Sequence, residues 1–154
     1  MSDHNKFMAA QHLSNGGLLE KFMPIDQRFT LKEQLKGKEG IAIAQAVLET
    51  VHRILATPLT YQTEAIHMPE KVVHLHYFRG GVDAWIVERD LGECPDPEHL
   101  LAGIGEQRQA FGKCDVFGGG WWDAEWGYVS IQFLIEAGVE LDLHWEPKAV
   151  KEIY

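Results

Sequence analysis

The hydrophobic period of the chain changes near residue 70, and that change constrains the fold more than any other feature. Over residues 41–56, Ala44, Val47, Leu48, Val51 and Leu55 recur at helical spacing, with Gln45, Glu49, His52 and Arg53 opposite. That pattern predicts an amphipathic helix with one buried stripe. Gly40 precedes it, and Thr57-Pro58 ends it, because the residue before a proline is pushed out of the helical region. From Lys71 the period is two. Val72, His74, His76 and Phe78 fall on one side of a strand over residues 71–78, and Val73, Leu75 and Tyr77 on the other. Gly80-Gly81 leads into a second alternating run over residues 82–89, and two such runs about a Gly-Gly pair predict a hairpin. The expected fold class is therefore α+β: an antiparallel sheet packed by one long amphipathic helix and one short helix.

The short helix is expected over residues 131–137, with Ser130 as its N-cap and Gly138 just past its end. Further strands are expected over residues 111–117, 125–129 and 139–145. In the last of these, Val139, Leu141, Leu143 and Trp145 share one face, and Glu140, Asp142 and His144 the other. Thr30 and Glu33 stand at capping-box spacing and suggest a helix over residues 30–36. Residues 93–97 read as a loop and 97–102 as one helical turn. Residues 1–17 are polar, aperiodic and end in Gly16-Gly17, so they read as a mobile N-terminal tail, leaving 18–154 as a single α+β domain.

Charge narrows the partners. The net charge is −9, and it is unevenly placed: residues 1–70 sum to −1 and residues 71–154 to −8. An anionic field of that kind repels phosphates, which argues against direct nucleic-acid binding, and it attracts basic surfaces. Cys94 and Cys114 form neither a disulfide framework nor a metal knuckle. The leading residues lack a basic segment followed by an apolar run, and no stretch approaches the roughly 18 apolar residues of a membrane span. The expectation is a cytoplasmic protein.

Three constellations bear on function. His74-x-His76 places two imidazoles on one strand face, about 6.5–7 Å apart. With His144 as a third ligand, and Asp83, Glu88 or Asp142 as a carboxylate, they would suit Zn or Fe in a metal-dependent hydrolase or lyase. Glu88, Asp90, Asp115 and Glu125 form a second group that, if convergent, would divide into general acid and base. No Ser-His-Asp spacing, nucleophile elbow or phosphate-binding glycine loop is present. The third is the run Gly118-Gly119-Gly120-Trp121-Trp122-Asp123-Ala124-Glu125-Trp126, which has three Trp within six residues on a glycine joint among acids. Tryptophan is the residue most enriched at interface hot spots, and an acidic rim selects a basic partner.

Five short runs between residues 77 and 146 carry a resemblance. They are Tyr77-Phe78; Trp85-Ile86-Val87-Glu88-Arg89-Asp90; Phe111-Gly112-Lys113-Cys114-Asp115; Glu125-Trp126-Gly127-Tyr128-Val129-Ser130; and Glu140-Leu141-Asp142-Leu143-His144-Trp145-Glu146-Pro147. Together they resemble a bacterial domain family of unknown function common on plasmids and integrative elements, often beside antirestriction genes. Leu141 stands where that family tends to place Arg. The resemblance implies a genomic setting rather than a reaction. The combined expectation is a non-enzymatic accessory protein of a mobile genetic element. It would bind a basic nucleic-acid-binding protein of the host or a defence system through Trp121, Trp122, Asp123, Glu125 and Trp126, in an antirestriction or anti-CRISPR role. That reading needs no cofactor. The alternative is the metal enzyme built on His74, His76 and His144.

Overall fold

Alternation after residue 70 builds a sheet, and the remaining elements pack on its two sides. The computed structural model describes residues 2–90 and 106–153. In chain order, its helices are α1 (Ser2–Leu13), α2 (Ile25–Gln34), α3 (Gly40–Ala56) and α4 (Ile131–Glu136). The strands are β1 (Val72–Val73), β2 (Leu75–Arg79), β3 (Val82–Glu88), β4 (Ala110–Asp115), β5 (Glu125–Val129), β6 (Glu140–Leu141) and β7 (Lys148–Ala149). Five strands form an antiparallel sheet in the order β5-β4-β3-β2-β6, and β1 pairs with β7. This is the α+β class with an antiparallel sheet. The expected loop at 93–97, the helical turn at 97–102 and Cys94 lie outside the described residues.

The hairpin closes as its glycines predict, with Arg79 opposite Val82 across Gly80-Gly81. Leu75, Tyr77, Ala84, Ile86, Ala110, Val129 and Leu141 turn one face of the sheet to the helices, where they meet Ala44, Val47, Val51 and Ile54 of α3. The stripe of α3 is rotated from the expected one: Ile54 is buried and Leu55 is 55% exposed. Ser130 caps α4 as predicted, its Oγ accepting from the Phe133 N–H at 3.1 Å, and Gly138 (φ +80°) follows the helix in the left-handed conformation.

Four expectations need correction. Residues 2–13 are not a tail but α1, which packs on α3 and sinks Ala9 and Leu13 into the core. Its C-terminal carbonyl is held by the buried Arg28 guanidinium, whose Nη1 donates to Leu13 O at 3.0 Å and to Asn15 Oδ1 at 3.2 Å. Helix α2 begins after Pro24, so Thr30 is an exposed mid-helix residue rather than a cap. Proline is preorganised for a helix start, whereas the Thr30–Glu33 spacing also occurs by chance inside helices. The strand expected over 71–78 breaks at His74: Val73 joins one hydrophobic cluster, while Leu75 and Tyr77 join the other. The strand expected over 139–145 stops at Leu141, because the Asp142 carboxylate accepts the His144 N–H at 2.9 Å and turns the chain.

The place of α1 in the core is testable by urea unfolding. Leu13→Ala should cost about 2–5 kcal/mol, as for other fully buried leucines. Ser130→Ala should cost about 1 kcal/mol through the lost cap.

Candidate functional site

The second face of the sheet carries the unusual chemistry. Strand alternation places His76, Phe78, Asp83, Trp85, Phe111, Lys113, Asp115, Trp126 and Tyr128 there, in register across β2 to β5. Trp85 lies at the centre, buried with Val73, Val87 and Val150 and covered by Phe111, Trp121, Trp126 and Trp145. Trp121 meets the Trp85 ring edge-on at 5.1 Å and Trp126 at 5.9 Å. His76 stacks on Trp85 (5.4 Å) and Phe78 (5.5 Å), with Trp145 at 5.1 Å.

The basic side chains of this face sit on the rings. The Lys113 ammonium lies 3.9 Å from the Trp121 centroid and 5.8 Å from Trp126, the Lys148 ammonium 4.7 Å from Trp145, and the Lys71 ammonium 5.9 Å from Phe111. Burial pushes the Lys113 amine below its ordinary value. Elsewhere in residues 71–154, Arg79 donates to Gly138 O, Arg89 to Ile54 O, Arg108 pairs with Glu106 and Lys151 with Glu70. All seven Lys and Arg of this half are thus engaged within the chain.

One loop leaves this layer for solvent. Residues 116–124 join β4 to β5 and wrap the carboxylate of Asp115, itself 3% exposed. Asp115 accepts the N–H of Phe117 at 3.0 Å and of Gly120 at 2.7 Å. These N–H groups, with those of Gly119 and Gly118, hold the carboxyl below the usual carboxylate range. Gly118 and Gly120 both take φ +80°, which lets successive N–H groups converge on one acceptor. The loop so held presents Val116, Phe117 and Trp122 at 53%, 93% and 73% exposure. Asp123 and Glu125 beside them are also exposed.

The expected binding residues therefore divide. Trp122, Asp123 and Glu125 face outward, whereas Trp121 and Trp126 are half-buried in the aromatic layer. A Trp-rich run does not say which ring points out: Trp126 is fixed by its place opposite Lys113 in β5, whereas Trp121 and Trp122 lie in the short 3₁₀ turn Trp121–Asp123 before it. Val116 and Phe117 are exposed residues that composition did not single out. The usable signal was their position after Asp115 and before three glycines, an arrangement suited to a carboxylate-centred turn.

The histidines expected to bind metal do not converge. His74 sits in the break between β1 and β2, where burial lowers its basicity, and His144 is exposed in the turn after β6. His76 has one nitrogen facing Asp83 (Nε2 to Oδ1, 2.9 Å) and the other Asp142 (Nδ1 to Oδ2, 3.2 Å). The carboxylates envisaged as co-ligands thus occupy the imidazole itself. Among the described residues, no group of three or more His, Cys, Asp or Glu is placed to hold a metal ion. The second carboxylate group is also dispersed. Glu88 is buried where it accepts the N–H of Tyr61 (2.8 Å) and Thr63 (3.0 Å) and the Thr63 hydroxyl, while Asp115 and Glu125 lie at the far end of β4. Asp90 is held by Gln107 and Arg108.

Two outcomes follow. Trp121→Ala should lower the melting temperature by several degrees, the shift expected for about 1–2 kcal/mol in a domain of this size, and Trp122→Ala should leave it nearly unchanged. Asp115 has a depressed native pKa, so its contribution is full above the unfolded carboxyl value near pH 4 and is lost as pH falls through the native value. The difference in melting temperature between wild type and Asp115→Asn should accordingly be largest at neutral pH and close on acidification. A difference that widened as pH fell would refute the assignment.

Among the described residues, no helix is long and apolar enough to cross a membrane. Comparison with protein-family models, with curated proteins and with solved structures found no match.

Proposed function

We propose that this chain is a non-enzymatic binding protein that docks its 116–125 region on a basic surface of another protein. One observation carries the reading: three exposed apolar side chains, Val116, Phe117 and Trp122, stand on a loop held by a buried carboxylate. Apolar anchors on a preorganised loop lose little conformational freedom on binding, which is the usual property of a hot spot. The charge of the surroundings fits. Because the basic groups of residues 71–154 are engaged within the chain, the exposed Asp123 and Glu125 are left facing an approaching cationic surface.

In its most concrete form the partner is a basic nucleic-acid-binding protein of the host or of a defence system, whose groove the acidic face occupies. The mobile-element setting and the anti-defence role rest on the resemblance over residues 77–146. Action in the cytoplasm belongs to the same proposal.

The test starts from a basic protein captured from host lysate, identified by mass spectrometry and purified. Phe117→Ala and Trp122→Ala should each weaken its binding by about 2 kcal/mol, mainly through faster dissociation. Asp123→Lys and Glu125→Lys should instead slow association and reduce its salt dependence, since rim charges steer encounter. Unchanged affinity in all four variants would overturn the reading.

A further inference from the structure

The five-stranded sheet treats its two edges differently. At one edge, β6 is two residues long and its backbone is already occupied: the Gln27 amide donates to Leu141 O at 2.8 Å and accepts from Leu141 N at 2.9 Å. A side-chain amide there stands in for a neighbouring strand, and a short, covered edge is a usual way to prevent pairing with another chain. At the other edge, β5 runs five residues in unbroken register with β4, from Glu125 opposite Cys114 to Val129 opposite Ala110. It contains no Pro, Lys, Arg or bulge. Among the described residues, no hydrogen bond reaches its outer backbone. Alternate N–H and C=O groups of an edge strand point away from the sheet, and these are the groups an added strand would satisfy.

We infer that β5 is a receptor edge, and that an extended basic segment of the partner adds beside residues 125–129 as a sixth strand. The choice of a basic occupant rests on the proposed function; the open edge does not. Charge supports that occupant, since Asp123 and Glu125 are exposed at the start of the strand. Tyr128, 57% exposed, and Trp122, 73% exposed, offer aromatic surface to the side chains of an incoming strand. At Gly127 nothing lies within 4 Å of the point where a Cβ would stand, which leaves space at mid-strand. Backbone pairing would supply affinity, and the acidic and aromatic flanks would select sequence, as in other strand-addition complexes.

The test uses the full chain, isotope-labelled for amide exchange, and a short peptide of alternating lysine and valine. On addition of peptide, exchange should slow by about tenfold or more at alternate amides of residues 125–129. N-methylation of the peptide at every second residue should remove this protection in one parity and spare it in the other, since only one parity faces β5. Absence of peptide-dependent protection, or equal loss in both parities, overturns the inference. Protection without peptide that rises with protein concentration assigns the edge to a second copy and overturns the proposed occupant. The two proposals fail separately. If Phe117→Ala and Trp122→Ala abolish capture of the basic protein while β5 gains no protection, the edge inference falls and the docking loop stands. If β5 is protected and those variants bind unchanged, the docking loop falls and the edge stands.

Discussion

Strand β3 is buried along Ala84–Glu88 on both of its faces, so the sheet needs two covers, and the chain supplies them by different means. Ala84 and Ile86 look toward the helices, where α1, α3 and α4 provide ordinary aliphatic packing. Trp85 and Val87 look the other way, where the described chain offers only β1, β7 and a C-terminal turn. Large rings make up the shortfall. Trp121, Trp126, Trp145 and Phe111 bring much apolar area on few residues, and stacked or edge-on pairs add about 0.5–1.5 kcal/mol beyond burial.

That solution has an electrostatic consequence. Lys71, Lys113 and Lys148 lie over aromatic rings of the second cover, so part of the limited basic charge in this half is drawn inward. Of the acids in the same half, Asp123 and Glu125 stay exposed beside the β4–β5 loop. A structural need, covering β3 with aromatics, thereby produces the anionic character on which the proposed binding depends. The Asp115 carboxylate links the two, because it closes the end of β4 and also sets the conformation of the loop that follows.

Features governed by local chemistry were legible in the sequence. The helix α3, the Gly80-Gly81 hairpin, the Ser130 cap and Gly138 follow from spacing, turn propensity and short-range hydrogen bonds. Features that depend on distant partners were not. Helix α1 has a polar, aperiodic sequence, and only Ala9, Leu13 and the grip of Arg28 reveal why it packs. The strand expected over 139–145 follows its alternation for two residues and then yields to an Asp142 turn that brings the Trp145 Nε1–H to Val73 O at 3.0 Å. At the candidate site, tryptophan clustering and acidity singled out the 118–126 run, but not which ring is outward. The register of β4 against β5 fixes only Trp126, and the loop that carries Trp122 is set by a carboxylate–amide contact that no periodicity encodes.

The central claim is that the outward loop is preorganised rather than pliable. Backbone nitrogen-15 relaxation over residues 116–124 tests it most directly. An Asp115-centred loop should give order parameters near those of the strands, about 0.85. Values below about 0.6 across Val116–Trp122 would describe a mobile segment and contradict the account.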